Sequence, residues 1–194
     1  MTNNFIITIS GTPGSGKSTT AKMLAEIFDC QRIYAGGIMR EMAKSKGMTI
    51  EELNTYAQTH IELDQELDTS IVKQAREITK TKPVIVEGRV QFHFLPESIK
   101  FFIKVDIKEA ARRIYQDLKT NTKRNESNSN SVEEMETKII ARRANELMRY
   151  QKYYNIDYTD ETQYDLIIDS TQLTRQEVVD KITDFLAEKG IKVA

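Results

Sequence analysis

Short apolar runs alternate with segments of helical periodicity along the whole chain. Five runs are typical of buried strands, and they cover residues 5–9, 31–34, 83–87, 99–105 and 165–169. After the first run, apolar side chains recur at helical spacing at Ala21, Leu24, Ala25 and Phe28. Strands that alternate with helices in this way predict a parallel sheet covered by helices on both faces.

Three short segments predict helix starts. A Ser or Thr followed three residues later by Glu occurs at Thr49 and Glu52, at Ser131 and Glu134, and at Thr174 and Glu177. This spacing fits a capping box, in which two backbone N–H groups of the first turn are satisfied by side chains. Residues 119–131 are polar throughout and cannot bury a face, so we expect an exposed, mobile loop there.

A glycine-rich octet, Gly-Thr-Pro-Gly-Ser-Gly-Lys-Ser at residues 11–18, lies between the first predicted strand and the first predicted helix. Its glycines let backbone N–H groups converge on phosphate oxygens, and the dipole of the following helix favours negative charge. Lys17 is expected to reach the β- and γ-phosphates, and the Ser18 hydroxyl to ligate Mg²⁺. A glycine-rich turn that binds no ligand is the alternative.

The octet in this setting predicts binding of a nucleoside triphosphate, with ATP as the expected donor. The predicted fold is α/β, of the three-layer P-loop NTPase type, with about five parallel strands and helices on both faces. The predicted ATP-binding residues are Gly11, Thr12, Pro13, Gly14, Ser15, Gly16, Lys17, Ser18 and Thr19.

Composition narrows the possible function classes. The 194 residues and a hydrophobic content of 39% fit one domain with one core, spanning residues 1–194. A formal charge of −1 and a pI near 6.2 provide no broad basic surface, so nucleic acid is not an expected partner. Cys30 is the one cysteine, which excludes an intramolecular disulfide and favours a cytoplasmic location. No apolar run approaches the length of a bilayer span, so no membrane partner is expected.

Charged side chains follow the third predicted strand, at the edge where an open parallel sheet binds its ligands. Glu87 is a candidate for holding Mg²⁺ directly or through water, and Arg89 for binding a phosphate bidentately. An ordinary polar turn is the alternative. Arg40 follows a double-glycine turn, and by spacing alone such a residue is more often a solvated helix residue than a ligand.

Arg142, Glu146 and Arg149 fall at positions i, i+4 and i+7 and therefore share one face of a predicted helix. Glu146 is in position to hold the two guanidinium groups apart and to orient them. Outside a catalytic setting, the same pattern is typical of an exposed, salt-bridged helix face.

The order of these motifs resembles that of nucleoside monophosphate kinases. The phosphate-binding loop is followed by Tyr-Ala-Gly-Gly-Ile-Met-Arg at residues 34–40 and by Glu-Gly-Arg at residues 87–89. Arg-x₃-Glu-x₂-Arg at residues 142–149 and Leu-Ile-Ile-Asp-Ser-Thr at residues 166–171 come next. Over nearly its full length the chain is most similar to cytidylate kinases, especially to their short archaeal-type branch, and residues 40–48 and 149–157 are particularly close.

This resemblance implies transfer of a phosphoryl group from ATP to CMP or dCMP, with Mg²⁺ bound by Ser18 and Glu87. It implies that Arg40 and Arg89 hold the acceptor phosphate and that Arg142 and Arg149, with Lys17, are catalytic and bridge the two nucleotides. It further implies that Glu146 positions these arginines or the acceptor sugar, that Asp64 contacts the acceptor base and that Arg113 lies against the adenine. An acceptor-binding helical region at about residues 36–80 and a lid at about 117–132 complete the expected domain, and a lid that opens and closes favours a monomer.

Three features differ from the pattern of the short branch. Gly16-Lys17-Ser18 stands where that branch often has threonines, and this difference restores the general phosphate-binding motif. Gly37 stands where relatives often carry Asp, and Asp117 stands where they tend to carry Arg. A cation in the lid must then come from Lys119, Lys123 or Arg124. Two alternative functions stay open: an adenylate kinase with AMP as acceptor, and a module that senses ATP without transferring phosphate.

Overall fold

Five parallel strands form one sheet in the computed structural model, which describes residues 4–120 and 129–191. The strands are β1 (Ile6–Gly11), β2 (Gln31–Tyr34), β3 (Val84–Glu87), β4 (Ile99–Lys104) and β5 (Leu166–Asp169). Their order across the sheet is β2-β3-β1-β4-β5, and every neighbouring pair is parallel. The predicted sheet is confirmed, with each strand ending within two residues of its predicted bounds.

Helices connect the strands within the described ranges. They are α1 (Lys17–Ile27), α2 (Ala35–Ser45), α3 (Ile50–Tyr56), α4 (Ile61–Thr79), α5 (Gln91–Phe94), α6 (Ile107–Thr120), α7 (Val132–Tyr154) and α8 (Arg175–Glu188), with a 3₁₀-helix at Glu161–Gln163. None of these helices combines the length and the apolar character that a bilayer span requires.

The sheet is buried on both faces, which explains why its strands are continuous apolar runs rather than alternating ones. On one face, Ile7 and Ile9 of β1 pack with Leu24 of α1 and Ile182 of α8. Burial of each such side chain contributes about 1.5–3 kcal/mol to stability. The opposite face packs against α2, α3 and α4 on one side and against residues of α7 and the segment that follows it on the other. The arrangement has three layers.

Side-chain caps start the helices where the sequence predicts them. Thr49 and Thr174 each form a reciprocal capping box, with Glu52 and Glu177 as partners. Ser131 accepts a hydrogen bond from Glu134 N, but the Glu134 carboxylate accepts from Asn130 N rather than from the Ser131 backbone. The third predicted box is therefore half formed.

The strand order reverses between β1 and β3, because the connection from β1 runs to β2 at one edge of the sheet, whereas the connection from β3 runs to β4 on the other side of β1. Such a switch point opens a crevice outside the carboxyl ends of the strands. Helices α2, α3 and α4 lie within the expected acceptor-binding region at residues 36–80. Residues 121–128 of the expected lid lie outside the described residues, and the division into a core, an acceptor-binding region and a lid stays a prediction.

Candidate active site

The glycine-rich octet forms a tight loop between β1 and α1. Gly16 caps α1 with a left-handed backbone (φ 85°), and Gly14 is left-handed as well (φ 78°). A Cβ on Gly14 would lie 2.9 Å from the Cα of Ala110, so this position is restricted by space as well as by conformation. Because α1 begins at Lys17, its first N–H groups, which no helix can satisfy internally, face the end of the loop. This is an anion-binding geometry.

A cavity of about 860 Å³ lies at the carboxyl ends of the strands. Nearly all the site residues that the sequence and the resemblance predict line this cavity. Those that line it are Thr12, Pro13, Gly14, Ser15, Gly16, Lys17, Ser18, Thr19, Arg40, Asp64, Glu87, Arg89, Arg113, Arg142, Glu146 and Arg149. Gly11 does not line the cavity, because it ends β1 against the backbone of Ile103 on β4, where a Cβ would overlap the Ile103 carbonyl.

Ser18 and Glu87 face each other across the start of α1. The Ser18 hydroxyl donates to Glu87 Oε1, and Arg32 on β2 donates to Glu87 Oε2 at 2.6 Å. The Glu87 side chain is 1% exposed, so its charge is shielded from solvent. A hydroxyl and a carboxylate beside a phosphate-binding loop are a donor set that fits Mg²⁺, which favours oxygen ligands and keeps several waters.

Glu146 is the centre of a buried charge cluster. Its Oε2 accepts from Arg89 Nε at 2.9 Å and from the Tyr158 hydroxyl at 3.2 Å, and its Oε1 accepts from Arg142 Nε at 3.0 Å. Burial by itself raises the pKa of Glu146, but Arg89 and Arg142 outweigh burial and hold that pKa well below its usual range. The carboxylate is therefore ionised and holds two guanidinium groups toward the cavity.

Lys17 lies in the field of the same arginines. Burial, with Arg89 and Arg142, lowers the pKa of the Lys17 ammonium to about 7, against the opposing effect of Glu87 and Glu146. More basic than acidic side chains line the cavity, so it has an excess of positive charge. A polyphosphate would neutralise that excess.

The partners of Arg149 differ from those expected. The sequence places Glu146 between Arg142 and Arg149, but the structure pairs Glu146 with Arg142 and with Arg89, which comes from the turn after β3. Arg149 Nε lies 2.9 Å from Asp64 Oδ2, within ion-pair distance but outside the angle of a hydrogen bond, and its Nη1 donates to Asn54. The reason is that both oxygens of Glu146 are already occupied, while the Asp64 carboxylate on α4 lies beside the Arg149 guanidinium.

Arg40 lies in the middle of α2, and its guanidinium group bonds to residues at the start of that helix. Its Nη1 donates to the Tyr34 hydroxyl and to the Gly36 carbonyl at 3.0 Å. The ring of Tyr34 also explains Gly37, because a Cβ there would lie 2.6 Å from Tyr34 Cδ1. A larger residue at this position would displace the tyrosine that supports Arg40.

Arg113 lies at the opposite end of the cavity. Its Nη2 donates to the Ser170 carbonyl at 2.8 Å and its Nε to Glu109 at 2.7 Å, which fixes the guanidinium plane. Asp117, one turn further along α6, also lines the cavity. The Lys119 ammonium lies 4.3 Å from the centre of the Tyr115 ring, and Lys123 and Arg124 lie outside the described residues.

Several polar residues of the cavity were not predicted from the sequence. Asn54, Asp68 and Gln91 line it and are buried, and Tyr158 supports Glu146. One signal was available, since Asp68 follows Asp64 by four residues and therefore shares its face of α4. Burial, with the charge of Asp64, raises the pKa of Asp68 to about 7.

Comparisons with known proteins identify chains similar to this one. Residues 6–172 match the cytidylate kinase-like family. The chain is 39% identical to the cytidylate kinase of Methanocaldococcus jannaschii, over 86% of this chain and 89% of that protein. It is 37% identical to the cytidylate kinase of Archaeoglobus fulgidus, over 96% and 97%. The structure of shikimate kinase from Acinetobacter baumannii in complex with shikimate aligns with a TM-score of 0.60 at 18% identity, over 97% of this chain and 96% of that chain. That likeness supports the P-loop kinase fold.

The charge balance at Glu146 is testable through stability. Replacing Glu146 with Gln removes the negative charge that two half-buried arginines share, so we expect a loss on the order of 3 kcal/mol in the free energy of unfolding. Saturating ATP should recover more stability in the variant than in the wild type, because phosphates replace the missing charge. Urea denaturation with and without Mg·ATP measures both effects.

Glu26→Gln is the matched control for this variant. The Glu26 side chain is 68% exposed and pairs with Lys22 at 3.9 Å, a surface ion pair that contributes little. If Glu146→Gln were as stable as Glu26→Gln without nucleotide, Glu146 would not balance the arginines.

Proposed function

The chain belongs to the cytidylate kinase-like family, and we propose that it transfers the γ-phosphoryl group of ATP to CMP or dCMP. One structural observation supports the proposal independently of the family. The phosphate-binding loop lines the same cavity as arginines from α2, from the turn after β3 and from α7. A site for one nucleotide alone would not need guanidinium groups from so many elements.

The donor end of the cavity is the phosphate-binding loop. The N–H groups of the loop and of the first turn of α1 bind the β- and γ-phosphates, and Lys17 neutralises them. Arg113 lies against the adenine, since its carbonyl and carboxylate partners hold the guanidinium plane still and leave a face for stacking.

The acceptor end is lined by α2, α3 and α4. Arg40 and Arg89 bind the phosphate of the acceptor nucleotide, each held by hydrogen bonds that fix its direction. Asp64 contacts the base of the acceptor nucleotide, or it orients Arg149 toward that nucleotide. Glu146 positions Arg89 and Arg142, and through them the acceptor.

Transfer needs no general base, because a phosphate oxygen of the acceptor is already ionised at neutral pH. That oxygen attacks the γ-phosphorus in line with the leaving oxygen of ADP. Lys17, Arg142 and Arg149 neutralise the charge that spreads over the moving group.

Mg²⁺ would be held by Ser18 and, directly or through water, by Glu87, with Arg32 fixing the carboxylate. Bound there with ATP, it supplies charge neutralisation of the phosphates. Among residues 4–120 and 129–191, no cluster of three or more His, Cys, Asp or Glu side chains could hold a metal by itself. We propose that the metal enters as Mg·ATP, with phosphate oxygens and water as its further ligands. We also propose that the protein acts as a monomer.

A panel of acceptors tests the reaction. With Mg·ATP as donor, we expect CMP or dCMP to give a kcat/KM at least ~10-fold above UMP, AMP and GMP, because a site built around one base edge rejects others. A coupled assay of ADP formation measures this. AMP as the best acceptor would assign the chain to adenylate kinase chemistry, and Mg·ATP binding without ADP from any acceptor would leave an ATP sensor.

Arg142 and its neighbour Arg143 form a matched pair for testing transition-state stabilisation. We expect Arg142→Ala to lower kcat on the order of 10³-fold, by analogy with arginine fingers, while ATP binding is mostly kept. Arg143 does not line the cavity, so Arg143→Ala should keep wild-type turnover. Steady-state kinetics and calorimetric ATP titration separate the two effects, and equal turnover in the two variants would remove Arg142 from the mechanism.

Metal dependence tests the role of Ser18. We expect Ser18→Ala to raise the free Mg²⁺ concentration needed for half-maximal rate by ~10-fold or more, since the hydroxyl ligand is lost. Ser45→Ala, an exposed serine at the end of α2, should leave that concentration unchanged. Initial rates across a series of buffered Mg²⁺ concentrations give the answer, and superimposed curves for the two variants would argue against ligation by Ser18.

A further inference from the structure

Gln91 lies buried at the acceptor end of the cavity and is not explained by binding of phosphate. It begins α5, two residues after Arg89, and is 3% exposed. Its Nε2 donates to Asp68 Oδ1 on α4 at 2.6 Å. Gly88 makes room for this amide, because a Cβ there would overlap Gln91 Oε1. The backbone turn and the amide are therefore fitted to each other.

The Asp68 carboxylate fixes which way the Gln91 amide points. Both oxygens of Asp68 accept hydrogen bonds, so the NH₂ group of Gln91 faces Asp68 and its carbonyl faces away. Tyr154 donates to Asp68 Oδ2 at 3.1 Å and holds the carboxylate in place. Gln91 Oε1 is left as a buried acceptor that meets no donor within the described part of the chain. A buried acceptor of this kind is costly unless a ligand satisfies it.

Asn54 on α3 presents the complementary group. It is 5% exposed and lines the same cavity, and its Oδ1 accepts from Arg149 Nη1 at 3.3 Å. That bond directs its Nδ2 elsewhere, and this donor finds no acceptor among residues 4–120 and 129–191. The apolar residues Met39, Ile50 and Leu67 line the same cavity. A flat ring with one donor and one acceptor on its edge fits such walls.

We propose that Gln91 Oε1, oriented by Asp68 and Tyr154, accepts a hydrogen bond from the exocyclic amino group of the acceptor base, and that Asn54 Nδ2 donates to a ring acceptor beside it. The inference rests on the proposed function and names the residues that distinguish a base with an amino group from one with an oxo group. Cytosine offers an amino group next to a ring nitrogen acceptor. Uracil offers an oxo group and an N–H at the same positions, which would set acceptor against acceptor and donor against donor.

Asp68 is a positioning residue in this scheme, since it acts on the base through Gln91. An Asn at position 68 could either accept from or donate to the Gln91 amide and would no longer enforce one orientation. The flipped amide would present NH₂ to the base, which suits an oxo group. Loss of the charge at Asp68 should therefore relax the choice of base more than it slows the reaction.

A CMP analogue that lacks the 4-amino group tests this contact directly. We expect wild-type kcat/KM to be at least ~10-fold higher for CMP than for the analogue, because the analogue loses the hydrogen bond between its base and Gln91. In Gln91→Met, which keeps the volume and loses the acceptor, the two substrates should give nearly equal kcat/KM. The thermodynamic cycle formed by this one mutation and this one change of substrate separates the hydrogen bond from any general loss of activity.

Two further variants distinguish an effect on the choice of base from a general effect on the structure of the site. Asp68→Asn should lower the CMP to UMP ratio of kcat/KM by ~10-fold or more, while KM for ATP, which binds at the other end of the cavity, stays near wild type. Gln65→Met, at an exposed glutamine on the same helix, should leave the ratio unchanged. A CMP preference over the 4-deamino analogue that survives in folded Gln91→Met would overturn the inference.

The proposed function and this inference can fail independently. If AMP were the best acceptor, transfer to CMP would be the wrong function, and the role of Gln91 would be tested with AMP against inosine monophosphate, which differ in the same amino and oxo groups. Loss of that preference in Gln91→Met would support the amino contact, and an unchanged preference would refute it.

Discussion

Positive charge held in place by buried carboxylates is the constraint on which this molecule depends. Arg89 and Arg142 meet at one carboxylate, Glu146, which is 3% exposed. Two guanidinium groups could not be held side by side in a half-buried cavity without a counter-charge, because desolvation and mutual repulsion would oppose folding. One ionised carboxylate between two arginines leaves a net positive charge. Burial, together with the charges of Arg89 and Arg142, lowers the pKa of the neighbouring Lys17 to about 7.

The fold determines where this charge is placed. The reversal of strand order beside β1 opens the crevice, the phosphate-binding loop closes one end of it, and α7 crosses the acceptor side with Glu146 and Arg149 facing inward. Polyphosphate and acceptor phosphate together supply the missing negative charge. When the two nucleotides bind, their phosphates therefore neutralise the charge of the cavity. The same basic residues then contribute both to nucleotide affinity and to stabilisation of the transition state.

Local patterns in the sequence predict much of this arrangement. Strand runs, the glycine-rich octet and two capping boxes depend on neighbours within a few residues, and the structure has them close to the predicted positions. Contacts between distant segments could not be predicted in the same way. Arg89 is 57 residues from Glu146, and their pairing depends on how α7 packs beside the end of β3. The pairing of Gln91 with Asp68, 23 residues apart, likewise depends on where α5 meets α4, which no periodicity encodes.

A crystal structure with a bisubstrate analogue, adenosine and cytidine joined by a pentaphosphate, tests the central claim most directly. We expect the polyphosphate to lie within hydrogen-bond distance of Lys17, Arg89 and Arg142, with Glu146 still between the two arginines. The adenosine should lie beside Arg113 and the cytosine beside Gln91. A polyphosphate bound away from the Glu146 cluster, or arginines that turn outward to solvent when it binds, would contradict the claim that these charges converge to join two nucleotides.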